Sequence, residues 1–156
     1  MKKNEKGFSL VELLVVVIII AIVAAIAIPN LLASRRAANE ASAISSLRTI
    51  HSAEATYQST LGGNVNYGTA VQLGTANLVD SVLGAASSTK SGYLFIVTVS
   101  TPQIYCATAT ATTQGTTGVR SFAVSQPGVI YAATDGTIAC DATTGVVSGT
   151  GFAPIQ

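Results

Sequence analysis

The sequence predicts an α+β protein, with one long N-terminal helix packed on a C-terminal antiparallel β-sheet of about four strands. Three observations predict it. From Leu13 to Ile28, sixteen consecutive residues are Leu, Val, Ile or Ala. A helical pattern rich in Ala, Leu, Ser, Arg and Glu then continues to Leu61, with no glycine until Gly62. From Gly92 the period changes to two, as Tyr93, Phe95, Val97 and Val99 alternate with Leu94, Ile96 and Thr98. The expected organisation is a leader over residues 1–7, a long helix over 8–61 whose first part (8–28) is long enough to span a bilayer, and a β-sheet head over 62–156.

The helix is expected to carry two different surfaces. Its first part is apolar all round, which suits lipid or other helices. Beyond Asn30, Ile44, Leu47, Ile50, Tyr57 and Leu61 recur at spacings of three or four, with Ala53 or Glu54 filling the gap after Ile50. Such a stripe is read as burial against the head. A helix from Phe8 to Leu61 would be about 80 Å long at its usual rise. Pro29 interrupts it. A proline inside a helix removes one hydrogen bond and clashes with the preceding turn, so the helix bends or locally melts there, or two helices meet. Gly62-Gly63 supplies the stop.

In the head, residues 62–91 read as a loop-rich connection with a small helix around 77–83. Strands are expected over Tyr93–Val99, Ile104–Thr110, Ser121–Ser125 and Val129–Ala133, with Gln126-Pro127-Gly128 as a turn. Residues 141–156 are rich in Gly, Thr and Val and receive no assignment.

Composition narrows the function. The chain has 156 residues, 49% hydrophobic and only 10% charged, with a net charge of +1. Ordinary soluble domains carry about 25% charged residues, so a free cytosolic enzyme is a poor fit. No strong field recruits nucleic acid, and the basic residues are scattered, so specific nucleic-acid binding is not expected. Lys2, Lys3 and Lys6 precede the apolar run against a single Glu5. Basic residues before an apolar segment hold the N-terminus in the cytoplasm and send the remainder outward. The two cysteines, Cys106 and Cys140, then lie in the exported part, where an even count favours a disulfide over two buried thiols.

Catalytic and metal signals are thin. The mature acids show no metal-ligand spacing; Asp135 and Asp141 together offer too few oxygens for calcium. His51, the lone histidine, reads as a helix-surface residue with no acidic or thiol cluster beside it. No phosphate-binding glycine loop is present. No cofactor, no metal and no enzyme activity are expected. Between Phe8 and Tyr57 there is no aromatic residue, so the helix carries no ladder of rings for electron transfer.

Glu12 is the informative residue. A secretory signal peptide or a plain membrane anchor accounts for residues 1–28 except for this carboxylate, which costs about 2.5–3.5 kcal/mol if it sits deep and unpaired in a membrane. Near the helix end the cost is smaller, and a charge kept there asks for a cationic partner. Lys6-Gly7-Phe8-Ser9-Leu10-Val11-Glu12-Leu13-Leu14 resembles the processing site of type IV prepilins. That resemblance implies cleavage between Gly7 and Phe8 by a membrane-embedded prepilin peptidase, followed by N-methylation of Phe8. It also implies that Glu12 pairs with the Phe8 amine of a neighbouring subunit during assembly. A buried carboxylate needs a partner, and cleavage creates one. Further implications are the pilin fold, a disulfide stapling the C-terminal region, and self-association into a helical homopolymer. The partners would be the peptidase/methylase and the assembly machinery of the inner membrane. The subunit would sit in that membrane before assembly and in a surface filament afterwards, serving adhesion, motility or DNA uptake. Two alternatives stand beside this. One is a pseudopilin of a type II secretion system; the other, more remote, is a membrane-anchored periplasmic binding protein or enzyme.

Overall fold

The structure is a computed structural model that describes residues 7–134 and 136–155. The chain divides into two units with the boundary between Ser34 and Arg35.

Among the described residues of the first unit, the one element is the start of helix α1, which as a whole spans Leu10–Thr60. Its apolar side chains from Leu10 to Leu32 are exposed, most of them by about half. Pro29 lies inside α1 and the helix assignment continues through it. The melted turn and the pair of separate helices are therefore not what this structure contains; the missing proline N–H costs the helix one bond only.

Among its described residues, the second unit combines the remainder of α1 with a short helix and eight strands. Helix α2 is Ala70–Thr75. The strands are β1 (Ser88–Lys90), β2 (Tyr93–Thr101), β3 (Ile104–Ala111), β4 (Ser121–Ser125), β5 (Ile130–Ala133), β6 (Ile138–Cys140), β7 (Val147–Gly149) and β8 (Ala153–Ile155). Six of them form one sheet in the order β1-β2-β3-β4-β5-β8, all pairs antiparallel, while β6 and β7 form a separate two-stranded ribbon.

Two expectations need correction. The main sheet has six strands, not about four, because β1 and β8 are three-residue edge strands whose alternation is too short to register. The small helix lies at 70–75, not around 77–83. Thr69 begins it: the Thr69 hydroxyl accepts the Gln72 N–H while the Gln72 side chain accepts the Thr69 N–H. Residues 77–83 form turns instead, with Asn77 in the left-handed region at φ 55°.

The core sits between α1 and one face of the sheet. Ala43, Leu47, Ile50 and Ala53 of α1 are buried with Tyr93 and Phe95 of β2, Tyr105, Ala107 and Ala109 of β3, Phe122 and Val124 of β4, and Ile130 and Ala132 of β5. Register explains the size pattern. Ala109 pairs with Phe95 on one side and Phe122 on the other, so small side chains on the central strand sit between large rings.

The opposite face of β4 is covered too. Ser121, Ala123 and Ser125 alternate with Phe122 and Val124, yet all five are buried. The Ser121 hydroxyl donates to the Gly136 carbonyl at 2.8 Å, and that of Ser125 to the Gly145 carbonyl at 2.9 Å. These two bonds fix the segment holding the β6–β7 ribbon over the sheet's second face, where a Cys106–Cys140 disulfide ties β3 to β6.

Candidate processing and assembly site

Gly7, Phe8 and Ser9 precede α1 in non-helical backbone. Nothing lies within 4 Å of the position a Gly7 Cβ would take, and Phe8 is 78% exposed. Among the described residues, the Gly7–Phe8 bond is thus uncovered, ahead of the first helical turn.

Ser9 caps that turn. Its hydroxyl accepts the Val11 N–H at 3.3 Å, and Glu12 Oε2 accepts the Ser9 N–H at 2.9 Å. Side chain and backbone are satisfied reciprocally, as in a capping box. The carboxylate also sits where the helix dipole favours negative charge. Glu12 Oε1 has no hydrogen-bond partner among the described residues, so the group keeps accepting capacity while it holds the helix start. The sequence reading gave Glu12 an assembly role only; its capping role was legible in Ser-x-x-Glu and was missed.

The N-terminal sequence has known counterparts. The prokaryotic N-terminal methylation motif matches residues 2–28. Over 38 residues the chain is 60% identical to the type IV wide pilus major component PilA4 of Thermus thermophilus. Over its N-terminal segment, the chain is similar to a type IV pilin. The matched stretch is 24% of this chain and 29% of that relative, so the chain spans less than a third of the relative's length. No solved structure matches the chain. The long helix packed on an antiparallel sheet nevertheless agrees in class with the pilin fold that the N-terminal resemblance implies.

Other residues singled out in the sequence fall in different places. Lys2, Lys3 and Lys6 of the leader lie outside the described residues, as does Asp135. Asp141 sits in the β6–β7 turn, where the Thr143 hydroxyl and amide hold its carboxyl down at about 2. Among the described residues, no group of three or more His, Cys, Asp or Glu is arranged to hold a metal. His51 is half-buried instead of exposed: its Nδ1 lies 2.5 Å from the Tyr105 hydroxyl.

Two buried acids form contacts that were not foreseen. Glu40 of α1 accepts the amides of Val119 and Arg120 and the Arg120 guanidinium, at 2.8 to 3.1 Å. Burial pushes this carboxyl up, but the two amides and the guanidinium outweigh it and hold the group below its ordinary value. Beside it, Asn39 donates to the Thr117 carbonyl and Arg36 to that of Gly115. Three polar residues of α1 thus pin the 112–120 loop. Glu54, the second, is fully buried.

Proposed function

We propose that this chain is the structural subunit of a type IV pilus, made as a precursor and cut after Gly7 by a prepilin peptidase. Phe8 then becomes the mature N-terminus and is N-methylated. Before assembly the apolar part of the helix, residues 8–28, holds the subunit in the inner membrane. On assembly these segments leave lipid and pack against one another as the filament core, with the sheet domains outside. Glu12 pairs with the Phe8 amine of a neighbouring subunit as the chain enters the filament. Assembly needs the inner-membrane pilus machinery, and the filament serves adhesion, motility or DNA uptake at the cell surface. No catalytic step is assigned to the chain.

The observation that carries this reading is the motif match over residues 2–28, with an open Gly7–Phe8 bond and a carboxylate one turn further on. Exposure of the apolar side chains of Leu10–Leu32 supports it, because so large an apolar surface calls for lipid or for other helices. The name of the Thermus relative, a major pilus component, points the same way.

Peptide mass spectrometry on protein sheared from native cells tests the processing. The expected N-terminal peptide starts at Phe8 and carries one extra methyl group. The same peptide confined to the membrane fraction would move the assignment to a pseudopilin. A chain beginning at Met1, or cut near Ala27, would overturn the pilin reading.

A further inference from the structure

The buried acid Glu54 has no counterpart in the assembly account. It lies on α1 with none of its surface exposed. Oε2 accepts the Gly68 N–H at 2.9 Å, and Oε1 is buried without a hydrogen-bond partner. A carboxylate so placed has one donor where an ionised group needs several.

Among the described residues, no ion pair is made to it. From its own helix, His51 and Tyr57 are the nearest titratable residues in sequence, and His51 is engaged with Tyr105. From the following segment comes Tyr67, and from β3 Tyr105, which stack edge-on with centroids 4.9 Å apart. Burial and the Glu54 carboxyl beside it push the Tyr105 phenol far up, so it stays neutral. Among the described cations, Lys90 pairs with Asp80, Arg120 with Glu40, and Arg36 with a carbonyl. Burial accordingly raises Glu54 to about 7 against the lowering effect of the Gly68 N–H.

Residues 62–69 are tied to α1 by the Gly62 and Asn64 amides, which donate to the Tyr57 and Gln58 carbonyls, and by the Gln58 side chain, which donates to the Val65 carbonyl; the Gly68 amide is the tie that an ionisable side chain makes. The Tyr67 N–H bonds the Pro102 carbonyl at 2.6 Å, and Gly68 rests on the Tyr57 ring, where a Cβ would stand 3.1 Å from it. We propose that Glu54 and Gly68 form a protonation-gated latch: the neutral carboxyl holds residues 62–69 against α1, and its ionisation releases them. Water reaching the carboxylate is what drives the release.

Hydrogen exchange on the full chain in detergent micelles, corrected for intrinsic rates, tests this between pH 5.5 and 8.5. Protection of the 62–69 amides should fall about thirtyfold, the linkage expected when opening returns the group from about 7 to its ordinary 4.5. Glu54→Gln, which cannot ionise, should show constant protection. Flat protection in the unaltered chain, an equal fall in Glu54→Gln, or a fall shared equally by β2–β5 would each overturn the latch. Should Glu54→Gln not fold, the carboxyl carbon shift of Glu54 in the unaltered chain decides. A midpoint coinciding with that of the protection loss supports the latch, and one near 4.5 overturns it.

Discussion

The Glu40 carboxylate meets the Arg120 guanidinium at 2.8 Å across 80 residues of chain. The same carboxylate takes two backbone amides of the 112–120 loop, so a single side chain joins α1 to the connection between β3 and β4.

Glu40→Gln keeps an acceptor for the amides only by turning its N–H₂ group toward the guanidinium. It is expected to cost about 2 kcal/mol at pH 7, since charge-assisted bonds are lost while Arg120 is half exposed. Because the folded Glu40 is held below its ordinary 4.5, its contribution is present above that value and is lost as pH falls through the lower folded one. Urea midpoints at pH 7, 5 and 3 check this. The two chains should differ at pH 7 and converge in acid.

Reduction of the Cys106–Cys140 disulfide frees a ribbon that otherwise covers β4. The bond closes a sequence separation of 34, for which chain entropy gives about 4 kcal/mol. Denaturant unfolding with and without reductant should show a loss of that order. The amides of β6 and β7 should lose exchange protection before those of β2 and β3 do.

Gly84→Ala tests a close backbone approach. A Cβ at Gly84 would stand 2.7 Å from the Gly74 Cα, with the Asp80 carbonyl at 3.3 Å. Backbone on both sides gives little room, so a loss of roughly 1–3 kcal/mol is expected. The thermal midpoint of the purified variant reads it; an unchanged midpoint would mean that α2 and the turn at Gly84 separate freely.

Glu12→Leu separates processing from assembly under the proposed function. The variant should still be cut at Gly7–Phe8 and still reside in the membrane. Its yield in the sheared filament fraction should fall at least about tenfold, because a desolvated amine loses its partner. Immunoblots of membrane and sheared fractions measure both.

The fold was legible where one side chain in two or in three and a half faces the core. Tyr93–Val99 showed its alternation plainly, and the α1 stripe placed Leu47 and Ile50 correctly. Strands β6, β7 and β8 were not legible because three residues are too few to carry a period. The ribbon that covers β4 follows from hydrogen bonds such as Ser121 to Gly136, which no local pattern announces. Thr69-x-x-Gln72 did announce α2, and apolar residues at 78–83 drew attention away from it. The motif around Gly7, Phe8 and Glu12 was readable because its chemistry is contiguous. Glu40 was not, since its partners lie 79 and 80 residues away, and Glu54 was read as a filler of the stripe because burial of an acid runs against its usual preference.

Electron cryo-microscopy of filaments sheared from native cells tests the central claim most directly. The account predicts filaments built from this chain, starting at Phe8. Their core should be packed from residues 8–28, with Glu12 within hydrogen-bonding distance of a neighbour's Phe8 nitrogen and the sheet domains outside. Filaments that lack the chain, or whose core is made by any other segment of it, would contradict the account.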